Sequence, residues 1–66
     1  MSKELPFLVH CLEEYKLSKG LTGKEVIALF TKHRVDEFVV SFFESLHING
    51  PKYIVEEIDT YIAERA

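Results

Sequence analysis

A single cysteine, Cys11, leaves nothing for an intrachain disulfide to join in this 66-residue chain. A domain this short normally needs a disulfide, a metal or a partner chain to supplement its core, so the first of these aids is excluded. The second is poorly supplied. Cys11, His10, His33 and His47 are the only soft metal donors, and no C-x-x-C, H-x-x-x-H or C-x-x-H spacing joins them. His10 and Cys11 are adjacent, and a helix turns successive residues about 100° apart. We therefore expect no metal and no other cofactor. Basic residues are also short, eight against eleven acidic ones, for a net charge of −3. Such a balance offers no footprint for phosphate backbones or for an anionic membrane surface, so neither nucleic acid nor membrane is expected as a partner. No apolar run approaches the ~20 residues that span a bilayer. At the N-terminus a short apolar run soon meets Glu13 and Glu14, unlike a signal peptide. The expectation is a cytoplasmic protein with a reduced thiol.

Apolar residues, by contrast, are plentiful: 47% of the chain, with five Phe. That is too apolar for a disordered chain and too short for a second core, so residues 1–66 read as one domain. The densest stretch is FVVSFFESL, residues 38–46. On a helix, Val35, Phe38, Val39, Phe42, Phe43 and Leu46 fall on one broad arc, while Glu37, Glu44 and Ser45 fall outside it. This stripe predicts a central helix, capped by Asp36 and ending near His47, against which the rest must pack.

Three other helices are predicted around it, and strand signals are absent. The first begins within a residue or two of 2–5, since Pro6 is tolerated only in a first turn. Phe7, Leu8, Cys11, Leu12 and Tyr15 give it helical period, and Leu5 and Val9 widen its apolar face to around half the circumference. Gly20 is its natural left-handed terminus, with Lys16 and Lys19 at the negative end of the dipole. Thr22 and Glu25 then form a capping box, with Leu21 and Val26 placed as a hydrophobic staple. The second helix runs from there to about His33, with Val26, Ile27, Leu29 and Phe30 as its buried side. After the turn Ile48-Asn49-Gly50, Pro51 opens a last helix. Ile54, Val55, Ile58, Tyr61 and Ile62 share its inner face, leaving Glu56, Glu57, Asp59 and Glu64 to solvent. The expected fold is all-α, a compact three- or four-helix orthogonal bundle.

Four elements of the sequence carry a resemblance: Glu13-Glu14-Tyr15-Lys16; Thr22-Gly23-Lys24-Glu25-Val26-Ile27 with Leu29-Phe30; Leu46-His47; and Tyr53-Ile54-Val55-Glu56-Glu57-Ile58-Asp59. With them the chain resembles an uncharacterised family of short, single-domain bacterial proteins, mainly from Firmicutes, known only by a domain-of-unknown-function label. The resemblance covers nearly the whole chain and implies no activity, cofactor or catalytic residue. In that family, members lie beside a second small relative and a larger protein resembling an ADP-ribosyltransferase, which implies a toxin-neutralising or adaptor role.

The residues themselves favour plain structural roles. Apolar flanks make Cys11 a buried, inert thiol rather than a nucleophile. His33 and His47 sit in last turns, where an imidazole bonds helix-end carbonyls. Glu13-Glu14 and Glu56-Glu57 are neighbours pointing apart, with no apolar pocket to raise a pKa. A helix-turn-helix reading fails because the central helix presents only Ser and Glu outward. No enzyme is expected. The leading expectation is a non-enzymatic protein-interaction module, antitoxin-like or an adaptor to a larger bacterial protein. The other reading is a small-ligand or enzyme-accessory domain using His47 and the face 53–59. Counting faces predicts an exposed apolar patch that includes Phe7, Cys11, Val40, His47 and Tyr53, and a homodimer as the commonest way to bury it.

Overall fold

A computed structural model describes residues 3–65. In chain order its elements are α1 (Glu4–Lys19), α2 (Gly23–His33), α3 (Val35–Ser41), α4 (Phe43–Leu46) and α5 (Pro51–Arg65). The fold is all-α, with no strand among the described residues. The Cα radius of gyration is 10.8 Å, about what 66 residues give when fully collapsed.

Local chemistry sets most of the boundaries. Gly20 adopts φ 66°, and the N–H groups of Gly20 and Leu21 both donate to the Lys16 carbonyl. The left-handed turn thus satisfies a carbonyl that the helix leaves over. At the start of α2, Thr22 Oγ1 accepts from the Glu25 N–H at 3.1 Å, and Glu25 Oε1 accepts from the Thr22 N–H at 2.8 Å. Leu21 packs half-buried against the core to which buried Val26 belongs. Pro51 opens α5.

The central stripe differs from its prediction. The helix breaks at Phe42 (φ −110°, ψ 25°), splitting the stripe into α3 and α4. Val35, Val39 and Leu46 are buried, Phe38 and Phe43 are half-buried, and Phe42 is 53% exposed. Six bulky side chains overfill one face of a single helix in so small a core. The break turns Phe42 outward and swings Phe43 toward α1, where its ring meets Phe7 edge-on at 5.3 Å. Asp36 is not the cap either. Arg34 holds that position with no side-chain bond, in the left-handed region at φ 55°, and Asp36 sits in the first turn of α3. There its charge still suits the positive end of the dipole.

The core gathers Cys11 and Tyr15 from α1, Val26 and Phe30 from α2, the buried residues of α3 and α4, and Ile54, Val55 and Ile58 from α5. α3, the first half of the central stripe, lies against all four other helices, and α1 lies against α2, α3 and α5. Two hydrogen bonds tie the end of α1 to α5: Tyr15 Oη donates to Asp59 Oδ1 at 2.7 Å, and Lys19 Nζ donates to Asp59 Oδ2 at 2.5 Å. Asp59, expected in solvent, is therefore held by two groups of α1.

Candidate interaction surface

α1 has more apolar surface than one core can cover, and the fold divides it. Cys11 and Tyr15, one turn apart, face inward and are buried. Leu8 and Leu12 are half-buried at the edge of the core. Leu5 and Val9 are left 65% and 54% exposed. α2 is divided in the same way: Val26 and Phe30 face inward, Leu29 is half-buried, and Ile27, expected inside, is 58% exposed. Two shallow depressions run along the α1–α2 seam, of about 150 and 130 Å³. Leu12 and Ile27 line both, Val9 lies beside the first and Leu8 beside the second. The rim carries Glu13 and Lys16, paired at 3.7 Å, and, at the other end, Thr31 and Asp36.

The residues singled out from the sequence separate. Cys11 is fully buried and leaves the candidate surface, because its position on α1 faces the core one turn before Tyr15. Burial, with the charge of Glu14 adding, pushes its thiol up to about 11, which makes it inert as a nucleophile at neutral pH. Phe7 is half-buried and belongs to an aromatic run: it meets Phe43, and His47 stacks flat on Phe43 at 4.5 Å. His47 Nδ1–H donates to the Phe43 carbonyl at 2.8 Å. The helix-end bond expected of both histidines thus forms at His47; His33 is half-buried and makes none among the described residues. Val40 and Tyr53 are exposed, at 45% and 38%, and no ring contact or hydrogen bond links them to that run among the described residues.

A third hollow, of about 540 Å³, opens between the end of α1 and the start of α5. Lys19, Lys52, Glu14, Glu56 and Asp59 line it, together with Leu17 and Val55. Its best-held charges, Lys19 and Asp59, are bound to each other, and Asp59 also accepts from Tyr15. Burial works against the Asp59 charge, but the bonds from Lys19 and Tyr15 and the Lys19 charge outweigh it and hold the carboxyl below its usual range. His47 and Tyr53 are not among the lining residues, so that part of the ligand-face expectation does not assemble here. Among the described residues no three His, Cys, Asp or Glu side chains gather into a metal cluster, and no helix is long and apolar enough to cross a membrane.

Sequence reasoning missed Ile27 as a surface residue. Its α1 neighbour Val9, like Leu5 one turn back, was visible as the excess width of the first helix, and Val9 lies next to α2. The chain matches no curated protein and no solved structure. A family model does match, over residues 6–65, under the description "Protein of unknown function (DUF3791)". With nearly the whole chain inside that match, the protein belongs to this family.

Proposed function

We propose that this chain is a non-enzymatic protein–protein interaction module of the bacterial cytoplasm, antitoxin-like or adaptor in character, acting on another protein chain. Its frame in this reading is a four-helix orthogonal bundle in which α3 and α4 are one broken helix. The observation that carries the reading is the apolar seam between α1 and α2. Leu5, Val9 and Ile27 are each more than half exposed, and Val9 and Ile27 line shallow depressions rather than a deep cavity. Contiguous exposed apolar surface on a small domain marks an interface, whereas a ligand site is concave with convergent polar groups.

The groove between α1 and α5 favours the other reading, a small-ligand or enzyme-accessory domain, because polar side chains do converge there. It is wide open, however, and its central carboxylate already has two partners. The two readings part on one experiment. Tagged wild type, Ile27→Lys and Lys52→Glu are used to capture partners from the native host, with bound chains identified by mass spectrometry. The interaction reading predicts a protein held by wild type and by Lys52→Glu but lost by Ile27→Lys. A partner lost only by Lys52→Glu contradicts the use of this seam and points to the groove.

A further inference from the structure

The α1–α2 seam differs in charge from one end to the other. The two helices run antiparallel along it: Glu13 and Lys16 lie by Gly23 at one end, and Leu8 lies by Thr31 and Asp36 at the other. The first end carries Lys16, whose partner Glu13 is loosely held at 3.7 Å, beside the N-terminus of α2, which the Glu25 carboxylate of the capping box already caps. The second end carries Asp36, with no cation among its lining residues. Between them lies an apolar middle formed by Leu8, Val9, Leu12 and Ile27, which Leu5 extends one turn back along α1.

A two-fold axis that crosses the middle of such a seam at right angles, in the plane of the contact, reverses it end for end. The Lys16 end of one copy then falls on the Asp36 end of the other, twice, while the apolar middles meet. We propose that the partner of this face is a second copy of the chain, with Ile27 near the axis and Lys16 of each protomer opposite Asp36 of the other. The proposal rests on the interaction reading and names its partner. An isologous contact needs only one patch, because that patch serves both subunits. The charge arrangement fits the second copy in particular. It turns a net charge of −3 on each chain, which would oppose self-association, into paired attraction at both rims. Val40, Phe42 and Ile48 stay outside the contact.

Sedimentation equilibrium of the full chain across the micromolar range tests the proposal. Wild type is expected to approach the mass of two chains. Ile27→Lys places two like charges near the axis and is expected to weaken association by on the order of tenfold or more. Since Ile27 is exposed, the helical circular dichroism should be unchanged. Asp36→Lys alone should weaken the dimer, and adding Lys16→Asp to the same chain should restore it, a rescue that a merely structural defect would not show. A monomer mass for wild type at every concentration overturns the proposal, as does a dimer that Ile27→Lys leaves intact. If wild type is monomeric yet captures a host protein through Ile27, the second-copy proposal fails while the interaction reading stands.

Discussion

Tyr15 is the residue at which the core becomes polar. Its ring is buried and lies edge-on to Phe30 at 5.6 Å, while its hydroxyl reaches out to Asp59. Burial, the bond to that carboxylate and the carboxylate's charge all push the phenol well above its ordinary value. Cys11 is pushed up to about 11 by burial and by Glu14. Both are acids whose protonated form the fold prefers. Their stabilisation is therefore complete below the unfolded values, about 8.5 for Cys and about 10 for Tyr, and is lost as pH rises through the folded ones. Urea midpoints should hold steady from neutral pH to about pH 8.5 and then fall toward about pH 11; Tyr15→Phe should fall less steeply over that range. At neutral pH, Tyr15→Phe should cost about 1 kcal/mol for the lost hydrogen bond, and a midpoint equal to wild type would contradict the role given to the hydroxyl. Asp59 has the opposite sign. Its depressed carboxyl contributes above the unfolded value of about 3.9 and loses that contribution as pH falls through the folded one. The buried, inert Cys11 was legible from the sequence, but the polar contact of Tyr15 with Asp59 was not. Asp59 looks solvated on its own helix, and the groups that hold it lie 44 and 40 residues away.

Helix ends could be read from sequence because their chemistry is local. The Thr22–Glu25 box and the Gly20 terminus are complete within a few residues of chain, and both formed as expected. Thr22→Ala should therefore destabilise the protein by ~1 kcal/mol, and an unchanged urea midpoint would remove that box from the account of α2. The α2–α3 junction carried no such signal, because no Gly, Asn or Asp marks the left-handed residue; Arg34 takes it at φ 55°. A left-handed backbone costs an ordinary residue roughly 1–2 kcal/mol. Arg34→Gly should thus raise stability by a few tenths to about 1 kcal/mol once the added unfolded-state freedom is set against it, whereas a loss would show that the Arg side chain matters more than its backbone. The break at Phe42 was hidden for a different reason. A periodicity pattern assigns Phe38 and Phe42 to the same stripe, and only the limited volume of the core forces one out. Phe38 stacks on Tyr61 at 4.4 Å and is half-buried, while Phe42 is mostly exposed. Phe38→Ala should cost about 2 kcal/mol and Phe42→Ala less than about 1 kcal/mol; equal costs in denaturant melts would restore the unbroken stripe.

For the whole molecule, the decisive property is which apolar surface the bundle fails to cover. The sequence showed that the excess exists, through the over-wide face of α1, but not where it ends up. Phe7 and Cys11 were expected at the edge of the patch, yet Cys11 went to the core and Phe7 into the run with Phe43 and His47. The exposed share fell instead to Leu5 and Val9, joined across the seam by Ile27. Which side of an apolar arc faces outward depends on where the neighbouring helix crosses, and that is a tertiary fact. The most direct test of the seam as the contact between two copies is a dilution series of two-dimensional amide and methyl NMR spectra on the full chain. Diluted from millimolar to micromolar, the signals of Leu8, Val9, Leu12 and Ile27 should shift together along one binding curve, while those of Val40, Phe42 and Ile48 stay still. Shifts confined to Val40, Phe42 and Ile48, or no concentration dependence at any residue, would contradict it.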